Sequence, residues 1–164
     1  MKDVLDQIRL ALNQNLYYVA LWTCLTLPDI CGAIDSTNGQ ADPGKYARWY
    51  DKWVARNCPS FTGQDCYYFR CTMLHQGRMM IPRGTYSRVF FLEPGATSNI
   101  FHCNVFNNAL NIDLRIFCEA MIDGAERWLK SVVGTPLFTQ NYNSFVRRYP
   151  TGIPPYVVGT PVIG

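Results

Sequence analysis

The stretch Thr62 to Gly77, TGQDCYYFRCTMLHQG, decides the fold class. Thr62 followed three residues later by Asp65 is a variant of the capping box, in which a hydroxyl takes the free amides of the first turn. Gly77 is a natural left-handed C-cap. A helix is therefore expected from about Gly63 to His75, with His75 in its last turn, where orphan carbonyls favour a cation.

Upstream of this stretch, Lys45 to Ala55 places Tyr46, Trp49, Tyr50 and Trp53 at helical spacing. Such a stripe could stack nucleobases, but aromatics three and four apart on a helix more often face a core. Ser36 to Gly44 (STNGQADPG) is a loop by composition. Pro28 to Ile34 resembles a short helical turn with Pro at a permitted first position and Asp29 near its N-terminus. Before it, Val4, Leu5, Ile8, Leu12, Leu16, Val19 and Ala20 follow three- and four-residue steps, predicting one amphipathic helix from Asp3 to Leu27.

Downstream, residues 79–85 form a Pro/Gly loop, and Arg88 to Leu92 with Ile100 to Val105 reads as a β-hairpin turning at EPGATSN. From Asn107 the spacing of Leu110, Leu114, Phe117, Cys118, Met121, Ile122, Ala125 and Leu129 predicts a long helix to Val133. Gly134 ends it, and Thr135-Pro136 opens a last helix to about Tyr149. The expected architecture is mainly α: one domain over residues 1–150, a bundle of about five helices with a small β-hairpin insertion. An extended Pro-rich tail, 151–164, packs on the domain or a partner.

Composition narrows the function classes. With 48% hydrophobic and 16% charged residues in a chain of 164, a single core forms, and the apolar surplus points to a subunit interface. The richest apolar run, Leu16 to Leu27, is shorter than the roughly 20 residues of a membrane span. The opening MKDVLD puts acids where a secretory leader has bases. Seven cysteines without a Cys-x-x-Cys pair support neither a disulfide framework nor a zinc clip, so reduced, mostly buried thiols in the cytoplasm are expected, with no metal and no cofactor.

Charge singles out the same helix. Residues 66–92 hold Arg70, Arg78, Arg83 and Arg88 and no acid, so the net charge of +3 is concentrated there. Arg70 and His75 lie five positions apart, about 140° around a helix, and arginine's reach closes that gap. A permanent cation beside a group that titrates near neutrality is the minimum for moving a phosphoryl centre without metal. The imidazole exchanges protons, and the guanidinium steadies charge on phosphate. RNA is the natural substrate, because its 2′-hydroxyl is an internal nucleophile. Arg78, Arg83 and Arg88 would guide its backbone. The chemistry needs both a base and an acid, and the chain has only His75 and His102. A twofold homodimer supplies two copies of His75 in one cleft; His102 sits in a predicted strand, which favours a structural role. Spacing alone is weak, arising by chance in about one chain of this composition in eight.

The stretch Cys66 to Gly77, CYYFRCTMLHQG, resembles the Arg-x4-6-His signature of the HEPN family (higher eukaryotes and prokaryotes nucleotide-binding). The order of long first helix, Pro-Asp-Ile-Cys-Gly turn, aromatic second helix and motif helix is also similar to small bacterial members. The resemblance spans about residues 1–150. It implies a metal-independent endoribonuclease of toxin or antiphage type, dimeric, with Arg70 and His75 in a composite cleft and a regulatory or antitoxin protein as a further partner. Asp29 is the candidate to orient His75 or pair with Arg70. Many active members carry a polar residue, often Asn, directly after the arginine, whereas this chain has Cys71, a poor hydrogen-bond partner for phosphate. That departure supports the alternative, a catalytically silent module binding nucleotide, RNA or protein through the same groove.

Overall fold

Asn15 splits what the apolar spacing joins. A computed structural model describes residues 1–96, 98 and 100–164, and in it the predicted first helix is two: α1 (Lys2–Asn13) and α2 (Tyr17–Ile34). Asn15 takes the left-handed conformation, φ 58°, which Asn tolerates better than most residues. The Leu16 amide then reaches back to the Ala11 carbonyl at 2.8 Å, closing the end of α1. Leu5, Ile8, Ala11 and Leu12 are buried, but Leu16 and Val19, which continue the periodic run, are exposed.

Pro28 does not end α2; the helix runs through it to Ile34. The separate turn expected at Pro28 to Ile34 is thus absorbed, and Asp29 lies in the C-terminal half of a helix, not at the start of one. With 18 residues, α2 is long and apolar enough to cross a membrane, where the shorter run 16–27 was not. Here it is the hub of the core. Ala20, Leu21, Cys24, Leu25, Leu27, Cys31 and Ile34 are buried, and the helix touches α1, α3 (Pro43–Trp53), α4 (Gly63–Gln76), α5 (Leu114–Val132) and α6 (Pro136–Tyr142).

In α3 the aromatic stripe is core: Tyr46, Trp49 and Tyr50 are buried, and the Tyr46 hydroxyl donates to the Leu25 carbonyl of α2 at 3.1 Å. Asp42 caps α3 by accepting from the Lys45 amide at 2.8 Å. A short 3-10 turn, Ala55–Asn57, follows. The caps of α4 are the expected ones. Thr62 accepts from the Asp65 amide, and Gly77, at φ 62°, ends the helix with amides from Gly77 and Arg78 on Met73 and Thr72. Gly63 lies where α3 and α4 touch, and a Cβ there would stand 2.3 Å from the Ala47 carbonyl oxygen.

The β insertion differs from the predicted hairpin. β1 (Arg88–Leu92) pairs in parallel with β3 (Ala109–Asp113), and β2 (Asn104–Phe106) pairs antiparallel with β3, giving the order β1-β3-β2. Of the expected EPGATSN turn, residues 97 and 99 lie outside the described residues. The true hairpin turn is Asn107-Asn108, both left-handed at φ 49° and 59°, the pattern of a two-residue loop. Residues 109–113 are therefore strand, and α5 begins only at Leu114, where Asp113 caps it by accepting from Ile116 at 2.9 Å. Leu110 and Leu114 keep helical spacing with the helix that follows, but Leu110, Ile112 and Leu114 also alternate at the two-residue period of a strand, and all three are buried.

Thr135 caps α6, which stops at Tyr142, short of the predicted Tyr149. The tail is not simply extended: it folds back as nested antiparallel pairs, β4 (Arg148–Tyr149) with β7 (Val162–Ile163) and β5 (Gly152–Ile153) with β6 (Val157–Val158). The protein is a mainly α fold with six α-helices and small β additions among the described residues.

Cysteine use also departs from expectation. Cys58 and Cys103, 45 residues apart, form a disulfide that ties the 3-10 turn to the segment before β2. Cys24, Cys31, Cys66 and Cys118 are free and buried, as expected, and burial pushes the thiols of the first three up.

Candidate functional site

Three side chains from two helices meet around one guanidinium. Arg70 projects from the middle of α4; its Nη1 lies 3.0 Å from His75 Nε2, and its Nη2 lies 2.6 Å from Asp29 Oδ2 on α2. The five-residue spacing therefore does bring Arg70 and His75 into contact, and Pro28's failure to stop α2 carries Asp29 to the same place. A guanidinium only donates, so Nε2 receives this hydrogen bond through its lone pair and the ring proton of neutral His75 sits on Nδ1. Cys71, next on the helix, puts its sulfur 3.9 Å from the same Nη1.

Burial sets the electrostatics. The Asp29 and Arg70 side chains are 15% and 20% exposed, whereas His75 is exposed. Burial pushes the Asp29 carboxyl above the ordinary carboxylate range, and the attraction of Arg70 and His75 only partly pulls it back. For Arg70, burial works against the charge, but Asp29 and Cys71 outweigh it and hold the guanidinium firmly protonated. Arg70 Nε is buried and makes no hydrogen bond among the described residues. The arrangement is a fixed cation, held by a reluctant carboxylate, that donates to the imidazole of a solvent-exposed histidine.

The other arginines do not all gather here. Arg78 follows the Gly77 cap and is exposed at the His75 end of α4. Arg83 belongs to the opposite end. The Thr85 amide and hydroxyl donate to Asp65 at 2.7 and 3.0 Å, so the loop after α4 runs back to its N-terminus. Asp65 and His75 are ten residues apart, about 15 Å along the axis. Arg83, two residues from that clasp, and Arg88, which opens β1, are exposed. Sequence reasoning took Asp65 only as a cap. It is buried, also accepts from the Thr62 hydroxyl at 2.7 Å, and sets the loop's course.

A second cluster was not foreseen. Cys58, His102 and Cys103 bring one donor atom each to within 4.8 Å of one another. His102 lies outside the strands, and its Nε2 is 3.0 Å from the Asn57 carbonyl oxygen. A carbonyl only accepts, so Nε2 carries the proton and Nδ1 the lone pair. That Nδ1 is buried and without a partner among the described residues, at a cost of about 1–3 kcal/mol for a polar atom left so. The adjacent His102-Cys103 pair was the available signal, 45 residues from Cys58 and hidden by that distance. Compared with protein-family models, curated proteins and solved structures, the chain finds no match.

Proposed function

We propose that the Arg70–His75 pair is the reacting half-site of a metal-independent endoribonuclease that works as a homodimer. The 3.0 Å contact between Arg70 Nη1 and His75 Nε2 carries this reading, because it sets an unprotonated imidazole nitrogen beside a permanent cation in a position open to solvent. In the proposed reaction, the phosphate draws Arg70 Nη1 off the His75 Nε2 lone pair, the freed Nε2 takes the proton of a ribose 2′-hydroxyl, and the 2′-oxygen attacks the adjacent phosphorus. Arg70 balances the charge on the phosphoryl oxygens, and protonated His75 of a second copy gives its proton to the departing 5′-oxygen. The Cys66 to Gly77 resemblance to HEPN proteins supports the same assignment and suggests a toxin or antiphage effector of the cytoplasm, held in check by a partner protein.

Asp29 favours a second reading. It already occupies Arg70 Nη2 at 2.6 Å, so a module that binds RNA or a partner protein without cleaving it is the alternative. Purified protein with labelled RNA in EDTA separates the two when wild type is run beside Arg70→Ala and His75→Ala. Cleavage by wild type alone, lost on RNA with 2′-deoxy linkages, supports the nuclease. Binding without cleavage supports the module, and cleavage surviving both changes sinks the placement of the site. Light scattering that gives a monomer at assay concentration removes the composite cleft.

A further inference from the structure

We propose that Cys58, Cys103 and His102 form a binding site for a thiophilic divalent cation, Zn2+, occupied when the Cys58–Cys103 disulfide is reduced. Two thiolates and one imidazole are the donor types that Zn2+ prefers, and they come from two chain segments converging on one point within 4.8 Å.

Three features mark the site as built for more than a disulfide. Cys103 holds the left-handed conformation at φ 60°, unusual for a residue with a Cβ. In an extended segment, neighbouring side chains point to opposite sides. The turn at Cys103 instead lets both His102 and Cys103 reach Cys58, which a disulfide by itself does not require of His102. Secondly, His102 is oriented as zinc-bound histidines are: one ring nitrogen donates to a backbone carbonyl, here Nε2 to Asn57 at 3.0 Å, fixing the tautomer and leaving the other free to ligate. Thirdly, that other nitrogen, Nδ1, is buried with no partner among the described residues. A cation would supply the partner it lacks.

The two states exchange without loose ends. A dithiol reductant delivers two electrons and two protons to the Cys58–Cys103 bond, giving two thiols, and itself becomes a disulfide. Zn2+ then displaces one proton from each thiol and binds the two thiolates with His102 Nδ1; no electron moves in that step. The two thiolates cancel the charge of the ion. Three protein donors leave a fourth position, and with His102 and Cys103 only partly buried, water reaches it. In either state the 3-10 turn Ala55–Asn57 stays joined to the segment entering β2, by a covalent bond when oxidised and by the ion when reduced.

The test uses the full chain, reduced with dithiothreitol and desalted without oxygen, then titrated with Co2+ and with Zn2+ against a chromophoric chelator. Reduced wild type should take up one equivalent, with a thiolate-to-cobalt charge-transfer band and the intense visible bands of tetrahedral Co2+, while the oxidised protein takes up none with these signatures. His102→Gln keeps both cysteines and the disulfide, so its oxidised form tests folding, by comparison with oxidised wild type. In the reduced state it should bind Zn2+ more than about 100-fold more weakly, beyond what loss of an outer partner alone costs. Cys71→Ser should bind as wild type. Equal affinity in His102→Gln, the same spectrum from oxidised protein, uptake lost in Cys71→Ser, or no uptake by reduced wild type would each overturn the proposal.

Discussion

Because burial raises Asp29 despite Arg70 at 2.6 Å, the two halves of this ion pair should respond unequally to removal. Arg70→Gln leaves a carboxylate that is 15% exposed with no counter-charge. Unit charges about 4 Å apart attract by about 4 kcal/mol at an effective dielectric of 20, and the solvent-exposed part of both groups reduces this to about 2 kcal/mol. In a chain of this size that lowers Tm by roughly 4–8 °C. Asp29→Asn takes away the main counter-charge of a guanidinium that is 20% exposed, but it also removes a charge that burial disfavours and leaves a side-chain oxygen to accept from Arg70, so its cost should be clearly smaller. The pH dependence follows from the direction of the shift. A carboxyl whose folded value is raised stabilises the fold when protonated, fully below its ordinary value of 3.8, and loses that contribution as pH rises through the folded value. The Arg70→Gln penalty should therefore be present at neutral pH and fade as pH falls through that window, while Asp29→Asn, which has nothing to titrate, shows no such step. Urea unfolding of both variants and the double variant across this range is the assay, with the double variant expected to recover most of the loss. Equal destabilisation by both single changes, independent of pH, would refute the reasoning.

Other expectations concern the scaffold that presents the site. Gly63→Ala puts a Cβ 2.3 Å from the Ala47 carbonyl oxygen, and since that neighbour is backbone, α3 and α4 must separate; a loss of about 3 kcal/mol or more is expected in urea unfolding. Asp65→Ala strips acceptors from the Thr85 amide and from the Thr62 and Thr85 hydroxyls and should cost about 3 kcal/mol, with faster amide hydrogen exchange at Thr85. Asn108→Gly, at φ 59°, should be neutral or stabilising by a few tenths of a kcal/mol, whereas Asn108→Val should cost about 1–2 kcal/mol in the same assay.

Legibility in the sequence followed the range of the interactions involved. The α4 boundaries were readable because Thr62 and Gly77 act within one turn of the helix they cap. The Arg70–His75 contact was readable for the same reason, since both sit on one helix. The break at Asn15 was masked because Leu12, Leu16 and Val19 keep helical spacing across it, although the last residue of α1's stripe to be buried is Leu12. The strand at 109–113 reads as helix because Leu110 and Leu114 keep helical spacing with the residues after them; Ile112 fits only the strand period, and what decides is β1, which pairs with β3 in parallel from more than 15 residues upstream. The Cys58–Cys103 bond and the Asp65–Thr85 clasp are pairings at a distance, for which a single sequence offers no register. Asp29 is the exception: the sequence offers its partner, Arg70, but not the helix that carries it there.

The guanidinium of Arg70 is already engaged at both ends, and this leads to a separation of binding from chemistry. Nη2 faces Asp29 and Nη1 faces His75, so under the proposed nuclease reading an incoming phosphate must displace one of them or share the cation. Asp29 also sets a negative charge against the phosphate, which His75 does not. Asp29→Asn should accordingly tighten RNA binding by reducing repulsion of the phosphate. It should also leave Arg70 less firmly placed against His75 Nε2, lowering the rate of the bond-breaking step. Measured as single-turnover cleavage against RNA concentration, the expected result is a lower half-saturating concentration with a lower maximal rate, each changed by about 10-fold, the equivalent of 1.4 kcal/mol. A carboxylate that only stabilised the fold would move neither quantity once the variant is shown to be folded. One that acted as the general base would abolish the maximal rate and leave binding alone.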